Sequence, residues 1–163
     1  MKIVVAGRWE LEWNTPIKEV ELWNLLLRDF KIEEWFMWPV TGIKHTEATW
    51  VNLHERESME EILSDKEVKR LKRVFFEPYN PSQQTMVGKD LREYDHPKNA
   101  LYIFGSAHFN PVPGHFQNGD HLVQVPTVEN KGVLWPHQCL AICLYDRLTK
   151  ELKGKKTDFK ASF

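Results

Sequence analysis

Cysteine is scarce in this chain, with two in 163 residues. Cys139 and Cys143 stand four apart in a predicted helix, on one face among apolar neighbours, and read as buried free thiols. Charge of one sign is also lacking: 22 Lys and Arg face 23 Asp and Glu, a net charge of -1. Without a basic surplus, tight non-specific nucleic-acid binding is excluded, so any such contact must be local. No apolar run approaches the roughly 20 residues that span a bilayer. The opening apolar run is short and meets Gly7 and Arg8 at once, unlike a secretory signal, so a cytoplasmic location is expected. Repeats and low-complexity linkers are missing too. With 42% hydrophobic residues the chain can bury a good core. A single domain is expected over 1–152, and the basic, aperiodic stretch 153–163 reads as a tail.

What is present alternates between strand-like and helix-like periods. Residues 2–6 are β-branched and apolar, a buried strand ended by Gly7. Thr15 and Pro16 supply an N-cap and a first helical residue. Val20, Trp23, Leu26, Leu27 and Phe30 then space one buried face of a helix reaching about residue 30. A second strand is predicted over 34–40, and 42–56 is ambiguous, with an extended piece near 50–53. Ser58 and Glu61 form a capping box. It opens a charged helix through Ile62, Leu63, Val68 and Leu71, with Lys66, Lys69, Arg70 and Lys72 on a basic exposed side. Strands follow at 73–77, 101–104 and 122–125. Pro136 starts a last helix with Leu140, Cys143, Leu144, Leu148 and Leu152 on its apolar side. Strands alternating with helices imply an α/β fold, a mostly parallel sheet flanked by helices in three layers.

The last third carries the functional signal. A buried strand ends on Gly105, the next ends in Val125-Pro126-Thr127, and a short loop through Leu134 feeds the final helix. Adjacent parallel strands that end this way hold small ligands by backbone groups at their carboxyl ends. Gly105 has no Cβ, which lets a ligand approach the chain closely.

Four stretches set a longer pattern: Ala100 to His108, Val125-Pro126-Thr127, Val133-Leu134-Trp135-Pro136-His137 and Leu144-Tyr145-Asp146. On these residues the chain from 73 to 152 resembles the SpoU type of the SPOUT methyltransferase superfamily. The corresponding family stretches read Ala-Leu-Val-Phe-Gly-x-Glu-x-x-Gly, Ile-Pro-Met, Ser-Leu-Asn-Val-Ser and Leu-Tyr-Glu. More loosely, Asn14-Thr15-Pro16 through Phe30-Lys31-Ile32 takes the place of the family's Asn-rich turn, helix and Phe-Gly-Val ending. The resemblance implies a deep C-terminal trefoil knot, rare among folds, a homodimer, and S-adenosylmethionine held in the knot. Because that family grips its cofactor largely by backbone groups, the cofactor-binding role carries over to Gly105, Val125, Thr127 and Leu134. The implied activity is methyl transfer from S-adenosylmethionine to RNA, at a ribose 2'-hydroxyl of tRNA or rRNA.

Several polar positions of the family pattern are exchanged here. The motif arginine falls near Leu25, with Arg28 one turn further on the same face. The Glu after the strand glycine is Ala107, the loop Asn is Trp135 and the final Ser is His137. Histidine is the obvious substitute base, since a neutral imidazole can accept a hydroxyl proton near neutral pH. Arg28, His108 and His137 are therefore the catalytic candidates. A zinc site from His108, His115, His121 and His137 fits no common ligand spacing, and no Cys joins them. The seven tryptophans read mainly as core and interface. Trp9 beside Arg8, and Trp135, are candidates for stacking on unpaired bases. Two alternatives stand beside methyl transfer to RNA. One is a degenerate dimer of this fold that binds RNA, a small ligand or a protein. The other is a different S-adenosylmethionine reaction on a non-RNA substrate.

Overall fold

Among the described residues seven strands, all paired in parallel, lie in the order β3-β2-β1-β6-β4-β7-β5. The strands are β1 (Lys2–Arg8), β2 (Glu34–Trp38), β3 (Asn52–Glu55), β4 (Lys72–Glu77), β5 (Lys89–Asp90), β6 (Asn99–Phe104) and β7 (His121–Gln124). The α-helices among the described residues are α1 (Pro16–Asp29), α2 (Met59–Ser64) and α3 (Pro136–Leu152). The computed structural model describes residues 1–9, 16–40, 50–77, 88–106, 109–128 and 134–153. Thr15, Trp13, Pro78, Ala107, His108, Val133 and the tail beyond 153 lie outside the described residues.

The strands are apolar on both faces because both are covered, as parallel sheets require. On one side Val20, Trp23 and Leu27 of α1, with Leu140, Cys143 and Leu144 of α3, pack on Val5, Trp35, Met37, Phe76, Tyr102, Phe104 and Val123. On the other, Met59 and Ile62 of α2 join Val4, Ala6, Phe36, Trp38, Phe75, Leu101 and Ile103. Phe109, Val112 and Phe116 complete that second layer.

The tryptophans knit the first layer. Trp23 stacks on Trp35 with centroids 5.7 Å apart, and Trp9 meets Trp35 edge-on at 5.8 Å. Trp9 is 2% exposed, so it is core and presents no face to an unpaired base. Gly7 lies within β1 rather than ending it. A Cβ there would stand 2.6 Å from the Trp23 ring, so the glycine is what lets α1 settle on the strand.

Two expectations are corrected. The charged helix ends at Ser64 instead of running through Leu71, and 66–70 are turns. Asp65 stops it: one carboxylate oxygen accepts from the Glu67 amide at 2.9 Å, and the other accepts from Arg56 at 2.8 Å. The basic residues there therefore form no helix face. The two-residue strand β5 was also missed, being too short for any period to show. The thiols match their reading, with Cys143 buried and Cys139 partly so. Burial pushes the Cys139 thiol up to about 12, which keeps it unreactive.

Trp23→Ala is expected to cost about 3–5 kcal/mol of stability in urea unfolding. Gly7→Ala is expected to cost about 1–3 kcal/mol by displacing the Trp23 ring. A neutral Gly7→Ala would show that the indole moves freely.

Candidate functional site at the strand ends

Every strand of the parallel sheet ends on the same edge, where Arg8, Trp38, Glu55, Glu77, Gln124 and Gly105 meet the loops. The helix α3 starts at this edge and runs back to the other. There Arg147 donates to the Pro97 carbonyl, and Lys150 donates to the Leu91 and Tyr94 carbonyls. Gly105, Val125, Thr127, Leu134 and His137 thus share one edge.

Arg28 does not share it. It ends α1 at the opposite edge, bonded to Asp29 at 2.9 Å, its guanidinium 5.5 Å from the exposed Trp50 ring. Trp50 leads into β3, whose first residue pairs with Glu34 at the start of β2. His108 lies outside the described residues.

Around Gly105 the geometry departs from expectation. The chain turns back at once: the Ser106 amide donates to the Phe109 carbonyl at 3.0 Å, and the Phe109 amide donates to the Ser106 carbonyl at 3.3 Å. A Cβ on Gly105 would fall well inside contact with that Phe109 carbonyl and 2.7 Å from Pro111 Cδ. The space left by the missing side chain is therefore occupied by the chain itself, not held open for a ligand. Gly105 is necessary, for a different reason.

The crossing segment is held on both flanks. Arg8 and Glu77 each stand one residue beyond the partners of Phe104, so they lie on either side of Gly105. The Arg8 guanidinium sits 4.0 Å over the Phe109 ring. Asn110 donates to Glu77 Oε2 at 2.6 Å. Glu77 pairs in register with Gln124, a side chain only 5% exposed. Glu77 Oε1 and Gln124 Nε2 are both buried without a hydrogen-bond partner. Burial alone raises the Glu77 carboxyl to about 7, so it can exchange a proton near neutral pH. Sequence reasoning passed over Glu77. Its signal was a carboxylate closing an otherwise apolar strand.

Beyond β7 the chain leaves the sheet. Val125 is buried, Thr127 is partly exposed and Val128 stands in solvent. Leu134 packs on the α3-side core, and the Trp135 amide donates to Gln138 Oε1 at 3.0 Å to order the start of α3. His137 sits in that first turn, half-buried, and burial holds its imidazole below the usual value. The other two C-terminal histidines have structural partners. His115 bridges the Pro111 carbonyl and Glu60, and His121 bonds the Tyr94 hydroxyl at 2.7 Å. No cluster of three metal-ligating side chains occurs among the described residues.

Residues 125–128 run outside regular structure at this edge, while Val125 and Leu134 pack into the core, so a cofactor there would meet main-chain groups. The space over Gly105 is filled by Phe109 and Pro111.

No protein-family model matches the chain, and no curated protein matches it. Solved structures do match its fold. A structure concerned with 2-OH methylation of C/U34 on tRNA superposes with a TM-score of 0.65 at 13% identity, covering 94% of this chain and 93% of that one. The SpoU methyltransferase AviRb from Streptomyces viridochromogenes, in complex with AdoMet, gives 0.68 at 12% identity, covering 94% of this chain and 58% of that one. The A. aeolicus TrmH/SpoU tRNA modifying enzyme gives 0.62 at 16% identity, covering 93% and 76%. The chain therefore has the α/β fold of SpoU-type methyltransferases.

A buried carboxyl that stays neutral in the fold but ionises in the unfolded chain lowers stability as pH rises from about 4.5 to about 7. Glu77→Gln is accordingly expected to match wild type near about pH 4 and to exceed it by about 1–3 kcal/mol near about pH 8. Urea unfolding at both pH values measures this. A difference that does not change with pH would show that burial does not raise the Glu77 carboxyl.

Proposed function

We propose that this chain is an S-adenosylmethionine-dependent methyltransferase acting on RNA, at a ribose 2'-hydroxyl of tRNA or rRNA. The observation that supports it most is the end-to-end superposition on a structure concerned with tRNA 2-OH methylation. The cofactor-bound SpoU structure of the same fold supports the choice of S-adenosylmethionine. In this reading the backbone at Val125, Thr127 and Leu134 holds the cofactor, with Gly105 contributing only its main chain. The C-terminal trefoil knot belongs to the same proposal, as does a cytoplasmic location. So does a homodimer through the outer face of α1 and α3, where Leu22, Leu25, Ile142 and Tyr145 are exposed.

When bound, S-adenosylmethionine supplies an electrophilic methyl group. This chain's part is to fix the target hydroxyl and to remove its proton. His137 is the leading base, since its imidazole is neutral at cellular pH and lies in the first turn of α3. His108 is the second candidate. Arg28, beside exposed Trp50 at the far edge, is assigned an RNA contact rather than a catalytic step. A non-catalytic binding protein of this fold is the second reading, favoured by the filled space over Gly105.

Calorimetric titration with S-adenosylmethionine and its demethylated product is expected to give micromolar binding. Labelled methyl groups should then pass to unmodified tRNA or rRNA. His137→Ala is expected to lower kcat by about 10²-fold or more with cofactor affinity retained. Absence of both heat and thermal shift with the cofactor would put the binding protein first.

A further inference from the structure

We propose that Arg8 is an oxyanion-binding residue: seated on the Phe109 ring at the strand-end edge, it receives either a phosphate of the RNA or the carboxylate of the cofactor's amino-acid end. The choice between these two sources rests on the function proposed above; the anion site itself does not.

Arg8 is the last residue of β1, on the edge where ligands of open parallel sheets bind. Its side chain is half-buried and its guanidinium carbon lies 4.0 Å from the Phe109 centroid. That ring is itself fixed. Phe109 is bridged in both directions to Ser106, meets Trp38 edge-on at 6.4 Å, and rests its carbonyl on Gly105. A cation over a ring face keeps its in-plane N–H fork free, the geometry that grips a carboxylate or phosphate through two hydrogen bonds.

Arg8 also differs from its counterparts. Arg28, Arg56, Arg73, Arg92 and Arg147 each hold a carboxylate within 2.9 Å. Among the described residues Arg8 and Arg70 hold none, and of these two Arg70 is exposed to solvent while Arg8 is half-buried. The nearest carboxyl across Gly105 is Glu77, two strand spacings or about 10 Å away. Glu77 is bonded to Asn110 instead and is largely protonated below neutral pH. A partly desolvated guanidinium without a counter-ion is a costly arrangement for the fold alone, and an incoming anion removes that cost.

The test compares wild type, Arg8→Gln and Arg8→Lys in the full chain. The probes are S-adenosylhomocysteine, methylthioadenosine (which lacks the carboxylate), a short single-stranded RNA of mixed sequence, and inorganic pyrophosphate. If the carboxylate is the ligand, Arg8→Gln weakens S-adenosylhomocysteine by about tenfold or more and spares methylthioadenosine. If phosphate is the ligand, Arg8→Gln weakens RNA and lowers its salt-dependence slope by about one, and both nucleosides bind as before. Arg8→Lys is expected to recover only part of either loss, because an ammonium has no fork. Pyrophosphate should raise the melting temperature of wild type more than that of Arg8→Gln, whether or not the cofactor binds. That outcome without cofactor binding would retain the anion site and remove the methyltransferase reading. A folded Arg8→Gln that responds to all four probes like wild type would overturn the proposal. Should Arg8→Gln not fold, Arg8→Lys giving wild-type affinities throughout would overturn it equally.

Discussion

The strand-end edge depends on one absent side chain. The chain leaves β6 at Gly105 and doubles back so closely that the Phe109 carbonyl takes the place where a Cβ would project. Any other residue would push Phe109 and Pro111 away from the sheet. With them would go the ring beneath Arg8 and the Asn110 amide against Glu77. Steric exclusion at a single atom thus sets the positions of a cation and a carboxyl on two different strands. Hydrogen bonds between Ser106 and Phe109 hold the turn once formed, but the missing atom is what permits it.

A second glycine works the same way deeper in the fold. Gly7 admits the Trp23 indole against β1, and Trp23 in turn stacks on Trp35, which meets Trp9. That ordered layer sets the height at which α1 lies over the sheet. α3 is placed differently, by a buried polar network at its far end. Asp146 accepts from His96 at 2.9 Å and pairs with Lys150 at 2.7 Å. Arg147, 6% exposed, donates to the Tyr102 hydroxyl and the Pro97 carbonyl, and pairs with Glu151. Such a network is strong when its members are bonded to one another, because a lone buried charge would be far costlier. Anchoring the C-terminal half of α3 in this way fixes where its first turn, with Trp135 and His137, meets the strand ends.

Much of this was legible in the sequence, and the failures have physical causes. Strands at 2–6, 34–40, 73–77, 101–104 and 122–125 were visible because strands buried on both faces read as plain apolar runs. The helix opening at Pro16 and the one opening at Pro136 were visible from proline and periodic leucines. The charged helix was overextended because Val68 and Leu71 keep a helical interval, whereas Asp65 spends its carboxylate on its own turn and on Arg56. Arg28 stands at the far edge for a topological reason. α1 runs antiparallel to the strands, so a residue in its last turn must lie at the edge away from their carboxyl ends. At Gly105 the sequence offers only a residue without a Cβ, not the atom that fills its place. Glu77 was invisible because its character comes from burial, which no neighbour in the chain announces.

Strand ends and helix turns differ as places to put a charge, and the difference matters at this edge. A side chain at the end of a central strand inherits the rigidity of a sheet paired on both sides, while one in a terminal turn of a helix shares that turn's fraying. Arg8 and Glu77 occupy central strands, and each is gripped by the segment that crosses Gly105. Arg28, in the last turn of α1, is exposed and bonded to its own neighbour Asp29. A reaction that depends on holding a hydroxyl or an anion to within a fraction of an ångström is better served by the first pair. The cation held at the strand ends comes from β1. Arg8 and Glu77 are therefore held by the sheet and by the residues that return over Gly105.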